Sequence, residues 1–302
     1  MPKKSKNIII SNPKRLAKLV AAFKRGGAAK IHVLADFDRT LTKAFVNGEK
    51  TPSLISVLRR ENLLTPEYSA KAFALYHKYG PLEHDPRLSL KEKKRLMRQW
   101  WLTHFKLLIK TGLNKKDIAK AVNSENMRFR GGAPRFFKFL YGHKIPLVIL
   151  SAGGLGQESI LMFLKKRAKL YGNIQIISNS FIWDKNGRAI GFNEPIIHTA
   201  NKDETEIKNF PAVMKKIKNK TNVILLGDLT EDLNMITGFN YDNLIKIGFL
   251  NENIKTNLPI FKKRFDVILF NDAPMDFINK LLTVIASERS ERSNLTYENI
   301  HK

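Results

Sequence analysis

The chain has 302 residues, 43% of them hydrophobic, with no cysteine and a formal net charge of +26. That length holds one large domain, or one domain with a sizeable insertion, and the lack of cysteine excludes disulfides and thiolate metal sites. No apolar run approaches the roughly 18 residues that span a bilayer, and the charge favours anionic partners, although the lysines are scattered through every segment rather than gathered in one stripe.

Residues 1–30 carry basic side chains and no acid. Leu16, Leu19, Val20 and Phe23 recur at i, i+3, i+4 and i+7, which predicts an amphipathic helix packed on the domain that follows. Residues 31–36 read as a buried strand. From 47 to 133 the texture is helical: "PSLISVLRRENLL", "PEYSAKAFALYHKYG", "SLKEKKRLMRQWWLTHFKLLIKTGL" and "NKKDIAKAVNSEN" all carry 3.6-type apolar spacing. Ser89 is placed to cap the third of these, Pro52, Pro66, Pro81 and Pro86 punctuate the block, and it contains no convincing strand.

Beyond 133 strands return. "GAPRFFKFLYGHK" reads as a helix, "IPLVILSAGG" as a strand ending in small residues, "GQESILMFLKKRAKLYG" as a helix and "IQIISNSFIW" as a strand followed by a hairpin turn in "DKNGRAIGF". "NFPAVMKKIKNK" is a helix, and "NVILLGD", "LIKIGFL" and "DVILF" are further strands. Strands alternating with helices predict an α/β fold with a mainly parallel sheet. The expected organisation is an N-terminal helix (1–30), an α/β core (31–46 and 134–285), a helical insertion (47–133) and a polar, frayed tail (286–302).

The chemistry gathers at strand ends. Asp36 and Asp38 in "ADFDRTLT" follow the first strand, where alternation would aim both the same way while Phe37 turns to the core. In open α/β sheets that edge binds ligands, and Thr40 can tie down the turn with its hydroxyl. Ser151 and Ala152 open the turn "SAGG", whose accessible N–H groups suit an oxyanion. Asp228 ends another strand with Asp232 four residues on, and "IIHTANKDE" supplies Lys202. Taken alone each has a bland reading: a cap, a turn, a surface lysine. Together and in this order they describe oxygen ligands for Mg²⁺ beside a lysine and a hydroxyl for phosphate. A carboxylate could then attack phosphorus, and a second one two residues on could serve as acid and base.

With these residues in hand, the chain resembles the haloacid dehalogenase superfamily of phosphotransferases. More narrowly it resembles the cytosolic type III pyrimidine 5′-nucleotidase family, over about residues 20–285, in "GGAAKIHVLADFDRTLT", "YHKYGPLEHDPRLSLKEK", "LVILSAGG", "IIHTANKDE", "VILLGDLTEDLNM" and "LIKIGFLN". The resemblance implies a Rossmann-like core with a helical cap over residues 47–133. It implies Asp36 as nucleophile and metal ligand, Asp38 as general acid/base with its carbonyl on the metal, and Asp228 as third ligand. Asp232 would support the metal from behind, Ser151, Ala152 and Lys202 would hold the phosphate, and Glu83 of the cap would contact the nucleoside. His104 sits where the cap of such proteins carries a small residue near the base, and Ala44 falls where they carry an aromatic.

The leading expectation is therefore a cytoplasmic, Mg²⁺-dependent phosphomonoesterase acting on nucleoside 5′-monophosphates, UMP or CMP first and a modified purine monophosphate second. A nucleoside phosphotransferase side activity uses the same intermediate, and a monomer without a dedicated nucleic-acid partner is expected. Another small-molecule phosphatase, acting on phosphoserine or a sugar phosphate, is the alternative within the superfamily. A basic nucleic-acid-binding protein is the alternative outside it. Trp100, Trp101 and Phe105 read first as core, with one of them able to face a ligand. His77, His84, His143 and His198 share no metal-ligand spacing and read as surface or packing residues.

Overall fold

A computed structural model describes residues 7–83, 85, 87–202, 210–237 and 240–286. The expected polar tail falls, from residue 287 on, outside these residues, as does His84. The architecture is α/β. A seven-stranded sheet runs in the order β1 (Ile8–Ile10), β11 (Val267–Phe270), β10 (Asn243–Leu250), β9 (Asn222–Gly227), β2 (Ile31–Ala35), β5 (Leu147–Ser151) and β6 (Ile174–Ser178). Every neighbouring pair is parallel except β1 against β11.

The central strands are continuous apolar runs because both faces are covered. Ile31, Val33 and Ala35 of β2 face a core shared with α1 (Pro13–Gly26), α6 (Ala133–Gly142), α7 (Gly156–Lys166) and α10 (Asp276–Ala286). Leu34 faces the other way, with Val148 and Leu225, onto α8 (Pro211–Ile217). A smaller cluster joins Leu250 and Ile268 to α9 (Ile254–Arg264).

The N-terminal helix forms as its periodicity predicts, with Leu16, Val20 and Phe23 buried and Asn12 capping Arg15 N at 2.9 Å. The strand Ile8–Ile10 ahead of it is a departure. Three isoleucines have no periodicity of their own; they become a strand by pairing with the free edge of β11.

Between β2 and α6 the chain runs through a two-residue ladder, β3 (Phe45–Val46) with β4 (Glu49–Lys50), and then α2 (Leu54–Arg60), α3 (Pro66–Glu83), α4 (Leu90–Lys110) and α5 (Lys115–Asn123). Ser89 caps α4 in a reciprocal box: Glu92 N donates to its Oγ at 3.3 Å and Ser89 N donates to Glu92 Oε2 at 3.1 Å. Pro81 lies inside the last turn of α3 and does not end it. These helices share one apolar cluster with the sheet.

The segment 174–183 is two strands, not one. After Ser178 the side chain of Asn179 turns inward, its Oδ1 accepting from Ile197 N at 2.8 Å and its Nδ2 donating to Ile197 O at 2.9 Å. The chain then re-emerges as β7 (Phe181–Trp183), which pairs with β8 (Ala189–Phe192). That hairpin packs on α4 through Phe105, 5.3 Å from Phe181 and 5.4 Å from Phe192. Among the described residues no helix is long and apolar enough to cross a membrane.

Candidate active site

β9, β2 and β5 lie side by side, so their carboxyl ends bring Asp228, Asp36 and Ser151 to one edge of the sheet. Asp36 N still bonds the neighbouring strand, donating to Leu226 O at 3.0 Å. Its side chain is nearly buried at 5% exposure. Phe37 turns into the core as expected and meets Phe163 edge-on at 5.5 Å.

The strand does not continue to Asp38. The chain turns at once, with Arg39 in the left-handed region at φ 59°, so Asp38 reaches the site from a turn and not by strand alternation. Thr42 fastens this turn: its Oγ1 accepts from Arg39 N at 2.8 Å and donates to Phe37 O at 3.4 Å. The Thr40 hydroxyl, expected to do so, is buried without a hydrogen-bond partner among the described residues. Instead the Thr40 carbonyl accepts from Arg130 Nε at 2.8 Å.

At the end of β9 the acid Asp232 folds back beneath Gly227. A Cβ at Gly227 would stand 2.5 Å from Asp232 Cβ, so only glycine admits this approach. Asp232 Oδ2 accepts from Asp228 N and Leu229 N, both at 3.0 Å. Its Oδ1 accepts from Lys202 Nζ at 3.0 Å, and the same ammonium bonds Asp36 Oδ1. Lys202 and Asp232 are both buried. Ser151 Oγ accepts from Gly153 N at 3.1 Å, which curls the turn after β5.

A cavity of about 400 Å³ opens over this edge. Asp36, Asp38, Ser151, Ala152, Lys202 and Asp228 line its floor, while Glu83, Arg59, Tyr76, Trp100, Trp101 and His104 line it from the helices. Thr40 and Asp232 lie behind the lining. Glu83, at the end of α3, accepts from Thr199 Oγ1 at 2.8 Å, three residues before Lys202. His104 Nε2 lies 3.0 Å from Tyr68 Oη, and burial lowers its pKa to about 3, so the ring is neutral. Of the three α4 aromatics, Phe105 and Trp100 are core, whereas half-buried Trp101 rests on the turn after β5: a Cβ on Gly154 would lie 2.4 Å from its Cζ3. A second hollow, about 480 Å³, shares Arg39 and Asp228 but none of Asp36, Ser151 or Lys202.

The electrostatics are lopsided. Four carboxylates, Asp36, Asp38, Asp228 and Asp232, surround one ammonium. Burial pushes Asp36 up to about 7 against the pull of Lys202, with Asp232 and Asp38 adding to the rise. Burial likewise raises Asp38 to about 6 and holds Asp228 well above the carboxylate range. Asp38 Oδ1 is buried with no partner among the described residues. Carboxylate oxygens of Asp36, Asp228 and Asp232 lie within 4.8 Å of one another. An all-oxygen, negatively charged set with one orphaned oxygen fits a hard divalent cation such as Mg²⁺. Asp232 already accepts three N–H bonds, which leaves Asp36, Asp228 and the Asp38 turn the better placed to hold it.

Three residues of this neighbourhood carry no signal in the sequence. Thr42 is one threonine among neighbours, Arg130 one base among many, and Arg59 reads as an ordinary helix-end arginine. Trp101 could be named beforehand only as one of three helical aromatics, with Trp100 and Phe105, of which one could face a ligand.

Comparison with known proteins bears on this site. A family model described as pyrimidine 5′-nucleotidase (UMPH-1) matches residues 39–286. The chain is 35% identical over 277 residues to the 7-methylguanosine phosphate-specific 5′-nucleotidase of Homo sapiens, with 91% of each covered. It is 33% identical over 278 residues to the 7-methylguanosine phosphate-specific 5′-nucleotidase A of Xenopus laevis, covering 92% of this chain and 95% of that one. Among solved structures it is similar to cytosolic 5′-nucleotidase IIIB bound to cytidine, with a TM-score of 0.82 and 27% identity, over 93% of this chain and 94% of the other. A haloacid dehalogenase family hydrolase of Salmonella enterica shares the fold at a TM-score of 0.50 and 15% identity, over 92% of this chain and 80% of that one.

Proposed function

Because the chain belongs to the pyrimidine 5′-nucleotidase (UMPH-1) family, we propose that it is a Mg²⁺-dependent 5′-nucleotidase that prefers pyrimidine nucleoside 5′-monophosphates such as CMP and UMP. The observation that carries this reading is the Lys202 ammonium bonded to Asp36 and Asp232 on the floor of a cavity that also presents Ser151, Asp38 and Asp228. Mg²⁺ held by Asp36, Asp228 and the Asp38 backbone carbonyl would offset the charge of the phosphate.

Asp36 attacks phosphorus through its carboxylate. A bond forms from its oxygen to phosphorus, and the bond from phosphorus to the ribose 5′ oxygen breaks. Asp38, raised towards neutrality by burial, donates its proton to the departing 5′ oxygen. In the second half Asp38 takes a proton from water, whose oxygen displaces phosphate from Asp36. Lys202 pulls Asp36 towards its ionised form and neutralises the phosphoryl oxygens, with Ser151 and the Ala152 N–H beside it. A nucleoside hydroxyl in place of that water would give phosphotransfer through the same residues.

In this reading residues 47–133 form a cap that excludes water from the intermediate. Glu83 and His104 contribute to the nucleoside side of the cavity, and the bond from Thr199 to Glu83 ties that side to the loop bearing Lys202. A monomer working in the cytoplasm belongs to this reading, and the cytosolic designation of the similar 5′-nucleotidase IIIB supports the compartment.

Phosphate release is measured from CMP, UMP, phosphoserine and ribose 5-phosphate, with Mg²⁺ and with chelator, for wild type and Asp36→Asn. The reading requires Mg²⁺-dependent release from CMP or UMP that Asp36→Asn abolishes. Release from phosphoserine or ribose 5-phosphate alone would move the substrate, and release that survives Asp36→Asn would remove the nucleophile.

A further inference from the structure

The nucleoside side of the cavity carries a cation that phosphoryl transfer does not use. Arg59, in the last turn of α2, is 4% exposed and lines the cavity. Its guanidinium sits between two rings, with Cζ 4.9 Å from the centroid of Phe73 and 4.7 Å from that of Tyr76. Nη2 makes one long bond, 3.3 Å to Ser56 Oγ. Nε is buried with no hydrogen-bond partner, and no carboxylate lies within ion-pairing distance among the described residues.

This is an unusual way to bury arginine. A guanidinium keeps its charge in proteins and presents five donors in a rigid fork. Burying it without an acid or a set of acceptors is costly. The ring faces recover part of that cost, yet the donors remain unfilled. Two further buried atoms of the same lining lack partners among the described residues: Trp100 Nε1, which can only donate, and His104 Nδ1. The acid of this wall, Glu83, is engaged with Thr199. The pocket end around Arg59 is therefore rich in donors and carries the fixed positive charge of Arg59.

We propose that Arg59 reads the base: its N–H groups donate to the acceptor edge of a neutral nucleobase, and its charge disfavours a cationic one. Cytosine offers O2 and N3, and uracil offers carbonyl oxygens, to such a fork. 7-Methylguanine carries a fixed positive charge on the ring and has lost the N7 acceptor that an arginine would use together with O6. A bare aromatic wall favours a cationic ring; Arg59 opposes that preference by like-charge repulsion in a site shielded from water. The relatives named for 7-methylguanosine phosphate would thus differ from this chain in base choice. The inference rests on the nucleotidase reading above and adds the residue that selects the substrate.

The experiment compares kcat/KM for CMP, UMP and 7-methylguanosine 5′-monophosphate in wild type, Arg59→Gln and Arg59→Lys. The ratio between substrates is the readout, because loss of folded enzyme lowers all three equally and leaves the ratio alone. Wild type is expected to favour CMP or UMP over the methylated nucleotide at least tenfold. Arg59→Gln should narrow that ratio about tenfold, and Arg59→Lys should keep part of it. Equal use of both classes by wild type, a preference for the methylated nucleotide, or a ratio unmoved by Arg59→Gln overturns the inference while leaving a nucleotidase. Failure to turn over any nucleotide, with another ester hydrolysed, overturns both readings.

Discussion

Arg130 donates from Nε to the backbone carbonyl of Thr40 at 2.8 Å, from the fully buried interior to the turn that follows the first aspartate. The same guanidinium bonds the Arg39 carbonyl, the Ala273 carbonyl at 3.0 Å and Asn251 Oδ1 at 3.2 Å. It pairs with Asp272 at 3.0 Å, whose Oδ1 also accepts from Ala44 N at 2.9 Å. One side chain thus joins the turn bearing Asp38 to the loops after β10 and β11. Arg130→Met would strand Asp272 and several carbonyls, and the expected loss is about 3 to 5 kcal/mol of stability. Arg130→Lys should recover only part, since an ammonium cannot span the fork. Urea midpoints for the two variants check this; a midpoint unchanged in Arg130→Met contradicts it.

That relationship marks where the sequence stops being legible. Asp36, Ser151 and Asp228 could be placed beforehand because each follows an apolar run, and strand ends converge once the sheet is parallel. Arg130 could not. Three of its partners are backbone carbonyls, which every residue has, and they come from positions as far away as Ala273. Thr42 displaced Thr40 as the tie of the turn because the handedness at Arg39, not the spacing of threonines, decides which hydroxyl faces the backbone. Ile8–Ile10 became a strand through an edge supplied more than 250 residues later. Arg59 was hidden by its surroundings: a basic residue near a helix end is ordinarily solvated, and only the folded arrangement puts Phe73 and Tyr76 around it.

Stability should fall with acid through His32. This ring is buried beside Lys220, with Nδ1 2.6 Å from the Lys220 carbonyl, and burial lowers its pKa to about 4. The unfolded chain takes up a proton near pH 6.5 while the folded chain refuses it until about 4. Between those values the unfolded state binds more protons, so stability rises with pH. The contribution is complete above 6.5 and is lost as pH falls to 4, by about 3 kcal/mol. His104, lowered to about 3 by burial, acts in the same direction. Asp36, Asp38 and Asp228, raised by burial, act the other way, so the readout is a difference: from pH 7.5 to 4.5 the urea midpoint of wild type should fall relative to that of His32→Asn, which keeps a donor near the Nδ1 position. An equal slope in wild type and variant would mean that His32 is protonated in the folded state.

Gly154 couples the phosphate turn to the wall of the cavity. A Cβ there would stand 2.4 Å from Trp101 Cζ3, 2.7 Å from its Cη2 and 3.2 Å from Ile55 Cγ1. Gly154→Ala must push the indole away, at an expected 1 to 3 kcal/mol typical of about one methyl too many in a packed site. Because Trp101 lies on the nucleoside side, KM for a nucleotide should rise about tenfold, an order typical of displaced packing groups, while kcat changes less. Steady-state kinetics separates the two. A fall in kcat at constant KM would place the strain on the Ser151 side of the turn instead.

Asp228 gives the sharpest separation between holding a metal and holding the fold. Its carboxylate lies against Asp36 and Asp232, and both raise its pKa further after burial has done so. Without a cation these neighbours repel, so Asp228→Asn should leave the metal-free protein as stable as wild type or more stable, by up to about 1 kcal/mol for the like charge removed. With Mg²⁺ the order should invert. A ligand that binds only the folded state stabilises it by mass action, about 2.7 kcal/mol at one hundred times its Kd, so wild type should melt several degrees higher and Asp228→Asn should not respond. Thermal melts in chelator and in rising Mg²⁺ read this without substrate. Asp232 provides the contrast: its oxygens hold Asp228 N, Leu229 N and Lys202, so Asp232→Asn should lower the melting temperature in chelator as well. Equal Mg²⁺ shifts in wild type and Asp228→Asn would exclude Asp228 as a ligand and leave Asp36 and the Asp38 turn to hold the ion.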